Sequence, residues 1–250
     1  MRSPFYLIVS GLFTATLLSL QACSGSGNSG MVLVPANPTL GTSAFLIDSY
    51  EVSVIETSGG FETDGSPIVV ENARSTPFAS PRVQLDFATA SSLCTNAGKR
   101  ICTYNEWTAA CKGAKNLRFG FQSEATDPRP ISDTCLVARL DPNGEPLPSA
   151  ESELPAKTAS KLNCQTDGIA AIDLIGNVSE WVFINDSDGS LTGSVFSGGV
   201  PAGPNYGTSV EKSSCDFILS VDTDEDGNDD IAFPETALSD LVGFRCCKSP

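Results

Sequence analysis

The chain has 250 residues, of which 30 are acidic and 15 basic, and its formal net charge is −15. Such an acidic chain argues against nucleic acid or an anionic lipid surface as a partner, because both would repel it, and favours cations. It contains no histidine, which excludes Ser-His-Asp catalysis, Cys-His catalysis and every histidine-ligated metal site.

Residues 1–22 are typical of a secretion signal. Arg2 gives the positive start, and the apolar run Phe5–Leu20 is interrupted by Ser, Gly and Thr. That run is shorter than the roughly 20 continuous apolar residues of a comfortable membrane span. The sequence therefore predicts a chain that is exported, with the signal removed.

The end of the signal, Leu20-Gln-Ala-Cys23, resembles a bacterial lipobox, in which cleavage precedes a cysteine that is then lipidated. The alternative is an ordinary secretory signal. We expect a lipid on Cys23, with residues 23–30 forming a flexible Ser/Gly tether. Ser24 stands where an aspartate would favour inner-membrane retention, so we expect the outer membrane of a bacterium, with the lipid as the only membrane contact.

Eight of the nine cysteines follow Cys23. An even number in an oxidising compartment indicates four disulfides, whose pairing the spacing alone does not fix. A zinc site of four cysteines is the alternative, but no close Cys-x-x-Cys pair is present. Cys246 and Cys247 are adjacent, and neighbouring side chains on a strand point to opposite faces, so we expect them in two different bridges.

Composition suggests the order of elements. Phe45–Val54 is apolar and β-branched and predicts an early strand, while Thr57–Pro81 is rich in Gly, Ser, Thr and Pro and predicts a long loop. Phe119–Leu162 contains six prolines and predicts irregular surface structure. Further strands are expected at Glu180–Ile184, after Val195-Phe196 and at Leu241–Cys247.

The clearest helix signals lie between residues 86 and 113. Asp86 is a good N-cap, and the apolar residues that follow it recur at a spacing that puts them on one helix face, up to a C-terminal cap at Gly98. Thr103 and Glu106 form a capping box, Thr-x-x-Glu, before a second helix that ends at Gly113. These signals predict two short helices with their cysteines on the core side.

Six segments, in order, resemble the motifs of the sulfatase-modifying-factor family, whose founding member is the formylglycine-generating enzyme. They are Met31–Pro35, Ile47–Val52, Ala97–Trp107, Asp173–Trp181, Ser197–Gly199 and Gly243–Cys246. The resemblance covers roughly residues 31–250 and is specific as an ordered set. It implies one domain with the family's α+β, C-type-lectin-like fold: twisted antiparallel strands, two helices and long loops, stapled by disulfides.

The resemblance also implies two bridges, Cys94–Cys246 and Cys111–Cys215. In the family, the cysteine of the first helix pairs with that of the Gly-Phe-Arg-Cys motif, and the cysteine closing the second helix pairs with one after the Gly-Gly motif. The remaining cysteines give Cys102–Cys247 and Cys135–Cys164 by elimination. The second of these would staple the proline-rich region that it brackets.

The catalytic part of the resemblance is missing. Formylglycine-generating enzymes use two cysteines a few residues after the Gly-Gly motif, but here those positions hold Gly, Pro and Ser, and the first cysteine after Gly199 is Cys215. Copper(I) needs thiolate ligands, so we expect no copper site. The family's iron-dependent branch needs three histidines, so we expect no iron and assign no catalytic residue.

The family binds Ca²⁺ at its Gly-Asn-x-x-Glu-Trp loop. The matching donors in this sequence are the carboxylates of Asp173 and Glu180 and the carbonyl groups of Gly176 and Val178. Oxygen donors of this mixture suit Ca²⁺. The alternative is a satisfied turn with acidic side chains at its surface.

A second calcium candidate lies in the acidic segment 222–230. Its alternating acids match the calcium loop of integrin-type repeats and the first nine positions of an EF-hand loop, with Gly227 at the sharp turn. Phe233 stands where an EF-hand has its bidentate glutamate, which excludes a true EF-hand. The alternative is a solvated acidic insertion. The proposed ligands are Asp222, Asp224, Asp226 and Asp230.

These patterns favour a calcium-stabilised surface lipoprotein that binds a protein or glycan ligand without catalysis. The alternative is a formylglycine-generating oxidase that activates exported sulfatases. Fold does not decide between them. A count of free thiols does, because the oxidase needs reactive cysteines.

Overall fold

The computed structural model describes residues 30–61, 63–64, 66–120, 134–136, 155–184, 198–202, 214–216, 236 and 238–250. The expected signal, most of the tether and Cys23, the expected lipid attachment site, lie outside these ranges. Within them, no helix is both long enough and apolar enough to cross a membrane.

Two helices and nine strands form in the described ranges. In chain order they are Met31–Val34 (β1), Phe45–Asp48 (β2), Val52–Phe61 (β3), Pro67–Ser75 (β4), Phe87–Asn96 (α1), Arg100–Ile101 (β5), Tyr104–Lys112 (α2), Ser179–Ile184 (β6), Gly198–Ala202 (β7), Val242–Phe244 (β8) and Cys246–Lys248 (β9). The predicted mixture of helices and strands, with two helices, is confirmed.

The strands form three small sheets. One has the order β1-β2-β9-β5 and is antiparallel throughout, a second is the hairpin β3-β4, and the third has the order β7-β6-β8. In the third sheet β6 pairs antiparallel with β7 but parallel with β8, where an antiparallel arrangement was expected. The long chain between β6 and β8 permits this crossover.

Both helices begin as predicted. The Asp86 side chain accepts a hydrogen bond from the backbone N–H of Thr89 at 2.8 Å. Thr103 and Glu106 form the reciprocal capping box at the start of α2. Gly113 ends α2 at φ 64°, and a Cβ there would lie 2.4 Å from the carbonyl oxygen of Asp167, so only glycine fits.

Three strand and loop predictions were wrong in detail. The early strand expected over Phe45–Val54 is divided into β2 and β3, and the loop expected over Thr57–Pro81 contains most of the β3-β4 hairpin. The loop was predicted from the overall Gly, Ser, Thr and Pro content of this segment. That average gave no weight to the Asp-Gly pair at residues 64–65, a hairpin-turn signal that lies between two runs of β-branched residues. The strand expected over Leu241–Cys247 is divided at Arg245, and its halves β8 and β9 join different sheets.

Four disulfides join the cysteine pairs that were expected: Cys94–Cys246, Cys102–Cys247, Cys111–Cys215 and Cys135–Cys164. Cys246 belongs to a core cluster with Trp181, whereas Cys247 belongs to the cluster that contains Trp107. The two neighbouring cysteines therefore anchor β9 on opposite faces, as strand geometry requires.

Candidate functional site

The site candidate from the sequence is the loop that leads into β6. Three of its residues, Asp173, Gly176 and Asn177, have left-handed backbone conformations, at φ 60°, 89° and 55°. Such conformations are uncommon for residues other than glycine, although Asp and Asn tolerate them best. The loop turns sharply at these points and brings Asp173 and Glu180 into one buried region.

Glu180 is held from both sides. Its Oε1 accepts a hydrogen bond from Arg245 Nε at 2.6 Å, and its Oε2 accepts one from Trp107 Nε1 at 2.6 Å. Glu180 and Arg245 are each 1 % exposed. Both carboxylate oxygens are therefore committed to N–H donors in a region without water access.

Arg245 connects this carboxylate to the rest of the core. Its Nη1 donates to the carbonyl oxygen of Asp48 at 3.2 Å, and its Nη2 donates to the carbonyl oxygen of Ile172. The Asp48 side chain in turn accepts from Lys99 Nζ at 2.6 Å and from the backbone N–H of Cys246 at 3.0 Å. Arg245 thus ties β2, the Asp173 loop and β6 together at the point where β8 gives way to β9.

A third acid, Glu51, lies beneath the loop. Its Oε2 accepts from Asn177 Nδ2 at 2.6 Å, and its Oε1 accepts from the backbone N–H of Val178 at 3.2 Å. Asn177 also makes two hydrogen bonds with the backbone of Ala156: its Oδ1 accepts from the N–H at 2.9 Å, and its Nδ2 donates to the carbonyl oxygen at 3.1 Å. The Glu51 carboxylate therefore fixes the loop's shape from inside the core.

Asp173 is the exception among these acids. Its Oδ2 accepts from the backbone N–H of Ala159 at 2.7 Å, but its Oδ1 is buried and has no hydrogen-bond partner. A buried acceptor left unpaired costs roughly 1–3 kcal/mol. Among these three acids, Asp173 is therefore the one with a carboxylate oxygen that receives no hydrogen bond.

The cluster carries more acid than base. Burial raises the pKa of Glu51 well above its usual value, the neighbouring charge of Asp173 raises it further, and the Arg245 guanidinium opposes the rise. Burial likewise raises the pKa of Asp173 to about 6 and raises that of Glu180, with Arg245 opposing both. Three carboxyl groups lie near one guanidinium. Protons or another cation must therefore balance the negative charge that Arg245 leaves uncompensated near neutral pH.

The four predicted calcium donors differ in their fit. Asp173 and Glu180 lie in the same cluster, with Gly176 and Val178 between them along the chain. The free Oδ1 of Asp173 suits a cation, whereas Glu180 has no oxygen without an N–H partner. Among the described residues, no group of three or more Asp, Glu, Cys or His side chains is arranged to hold a metal ion. The second candidate, Asp222, Asp224, Asp226 and Asp230, lies outside the described residues.

The described residues on either side of the candidate oxidase position lie in a strand and in a disulfide bridge. Gly198 and Gly199 begin β7, where they pair with Ile184 and Phe183 of β6. Cys215, the first cysteine after them, is bonded to Cys111 of α2. Each of the eight cysteines that the structure describes is in a bridge, so none of them offers a thiolate for copper.

Sequence reasoning gave no role to three residues at the centre of this site. Glu51, Trp107 and Arg245 all lie within the quoted motifs, but their convergence is tertiary. One local signal was available: Arg245 is a lone charge between Gly243-Phe244 and two cysteines, in a segment that otherwise reads as buried strand. A charged residue in such a place is almost always paired, which predicts a buried acidic partner.

Comparison with known proteins gives a family and two similar structures. The family model described as the sulfatase-modifying factor enzyme 1-like domain matches residues 7–250. Treponema denticola variable protein 1 is 12 % identical over 84 % of this chain and 97 % of that chain, with a TM-score of 0.48.

The Major Tropism Determinant I1 variant is 17 % identical over 88 % of this chain, with a TM-score of 0.46, and the chain spans 52 % of that structure. No curated protein sequence matches the chain.

Proposed function

The chain belongs to the sulfatase-modifying factor enzyme 1-like family, and we propose that it is a non-catalytic member: a disulfide-stapled module that binds a protein or glycan ligand. The observation that carries this proposal is that all eight described cysteines are in bridges, Cys215 in one that the family also has. The positions between Gly199 and Cys215, where the oxidases of the family keep a reactive pair, hold no cysteine. The alternative function is a formylglycine-generating oxidase for exported sulfatases.

Export and a lipid anchor belong to the same proposal. The Leu-Gln-Ala-Cys23 ending and the Ser/Gly tether support them, and four disulfides require an oxidising compartment. The anchor places the module at the outer membrane, facing ligands outside the cytoplasm. Mass spectrometry of the N-terminal peptide tests this, and an unmodified Cys23 on membrane-purified protein would contradict it.

A thiol titration tests the non-catalytic role. We expect the purified, unreduced protein to show no reactive thiol, either folded or in denaturant, because the bridges and the lipid account for every cysteine. The same protein after reduction is the positive control. Two reactive thiols that include Cys215, together with conversion of a substrate-peptide cysteine to an aldehyde when copper is supplied, would establish the oxidase instead.

Calcium stabilisation is the finer part of the proposal. It is supported by the unpaired Oδ1 of Asp173 and by the excess of carboxyl groups around Arg245. Ca²⁺ takes carboxylate and carbonyl oxygens, which Asp173, Gly176 and Val178 would supply, and its charge would offset that excess. Glu180 would have to release an N–H donor to join them. The segment 222–230 is the other candidate.

Calcium removal is expected to lower the melting temperature by several degrees. A cation that binds only the folded state adds about 2.7 kcal/mol at a hundredfold excess over Kd. Magnesium should restore less than calcium, because it prefers a tighter octahedral shell. Melting curves recorded in EDTA, calcium and magnesium measure this effect.

Two variants locate the calcium ion. Asp173→Asn removes the charge while keeping a side chain that tolerates φ 60°, and it should abolish the response if the ion sits in the loop before β6. Asp224→Asn should abolish it if the ion sits in the acidic segment. Curves in EDTA and calcium that superimpose for the unsubstituted protein would refute both sites.

A further inference from the structure

A cleft of about 510 Å³ opens between the β3-β4 hairpin and the segment Ala79–Arg82. Its polar lining consists of two guanidinium and three hydroxyl side chains, from Arg74, Arg82, Ser53, Thr76 and Ser80. Each of these groups can donate hydrogen bonds, and no carboxylate of a described residue lines the cleft. In a chain with net charge −15, such a concentration of donors is unusual.

The segment that forms one wall of the cleft is held at both ends. The backbone N–H of Arg82 donates to the carbonyl oxygen of Val52 at 2.7 Å, which holds the segment beside β3. The buried Thr158 clamps its other end, because its hydroxyl donates to the carbonyl oxygen of Thr76 at 2.8 Å and accepts from the N–H of Ala79 at 3.2 Å. Phe78, just before the segment, has φ 60°. A conformation that is strained for a bulky residue persists only where its surroundings enforce it.

The two guanidinium groups have unused donors. Arg82 Nε is buried and has no hydrogen-bond partner. Its Nη2 lies 3.8 Å from Glu71 Oε2, in a pair whose side chains are 42 % and 38 % exposed and which therefore contributes little. The Arg74 side chain makes no hydrogen bond or ion pair with any described residue. A buried N–H without a partner is costly, and an oxygen atom of a ligand in the cleft would satisfy it.

We propose that this cleft binds a ligand that carries an oxyanion, a carboxylate or an ester of sulfate or phosphate, between Arg74 and Arg82. Arginine presents a planar fork of donors that matches such groups, and the three hydroxyl groups would hold the polar atoms beside the oxyanion. The cleft shares no residue with the cluster around Glu180 or with the Cys111–Cys215 bridge. The proposal therefore holds whether or not the chain has oxidase activity.

Titration of the full mature chain with sodium sulfate, sodium phosphate and sodium succinate tests this inference. Ionic strength is held constant with sodium chloride, and ¹H–¹⁵N chemical shifts of cleft amides are followed. We expect a saturable response to at least one of the three anions, and the preferred anion tells a sulfate or phosphate ester from a carboxylate.

Three variants connect the response to the cleft. Arg82→Gln and Arg74→Gln should each weaken binding about tenfold or more, since a hydrogen bond to a charged group contributes roughly 1.5–3 kcal/mol. Lys248→Gln removes an equal charge from a different sheet and should bind like the unsubstituted chain. A response without saturation for all three anions, or binding by both arginine variants as tight as that of the unsubstituted chain, would overturn the proposal.

Discussion

Replacing Arg245 with methionine is expected to lower the free energy of unfolding by about 3–5 kcal/mol, the usual cost of removing one partner from a buried ion pair. The substitution leaves Glu180 Oε1 and the carbonyl oxygens of Asp48 and Ile172 without their donor. It also removes the cation that opposes the pKa rise of three buried acids. Urea unfolding at pH 7.5 measures the loss.

Lys115→Met is the matched control for that experiment. It breaks a pair with Asp167 in which the lysine side chain is 65 % exposed, and it should cost about 1 kcal/mol or less. An Arg245→Met chain no less stable than this control would mean that the guanidinium does not hold the cluster.

The Arg245→Met deficit should also depend on pH. The folded pKa of each buried acid is raised above its unfolded value, so the folded state binds more protons. Stability from this cluster is therefore present at low pH and is lost as pH rises from about 4 through 6 and beyond. Without Arg245 the raised values should rise further, so the deficit should be smaller at pH 5 than at pH 7.5.

Replacing both Cys94 and Cys246 with alanine is the second large effect. Because Cys102–Cys247 still closes nearly the same long loop, the Cys94–Cys246 bridge newly closes only about ten residues, 94–102 with 246–247, for which chain entropy predicts a loss of about 2.7 kcal/mol. The thiol left by a single replacement is avoided, because both cysteines change together. Urea unfolding of the purified double variant measures the effect.

The bridge Cys135–Cys164 provides the comparison. No other bridge shortens its loop of 29 residues, so the same chain-entropy relation gives a larger loss, about 3.6 kcal/mol, for its removal. Both pairs are buried and both double variants lose the same two sulfur atoms, so the lost contacts partly cancel between them. A Cys135–Cys164 double variant that loses clearly less stability than the Cys94–Cys246 double variant would contradict the entropic explanation.

How far the sequence could predict this structure depended on the range of the signal. Asp86, Thr103 and Glu106 act within one turn of their own helices, so α1 and α2 could be read directly. Strand β5 has only two residues and exists because Arg100 and Ile101 pair with β9. No local pattern could specify it.

The candidate site divides in the same way. Asp173 and Glu180 were found from a single motif, but the acid and the cation that surround them come from distant parts of the chain. Arg245 reaches the carbonyl oxygen of Asp48 across 197 residues of sequence. Such a contact depends on the packing of β2 against β9. Motif spacing could therefore place the acids, but it could not show that Arg245 and Trp107 already donate hydrogen bonds to both oxygens of Glu180.

The two bridges of β9 also determine how the domain would carry mechanical load. The Cα atoms of Cys94 and Cys246 lie 5.6 Å apart, so tension between residues 30 and 250 would pass through residue 94, cross the sulfur bond and leave by the last residues. Helix α2 and strands β6 and β7 would lie outside that path. Only about 70 residues, roughly 230 Å of extended chain, could be drawn out, against roughly 730 Å without bridges. For a module tethered at its N-terminal end, as proposed, covalent bonds rather than hydrogen bonds would limit its stretching.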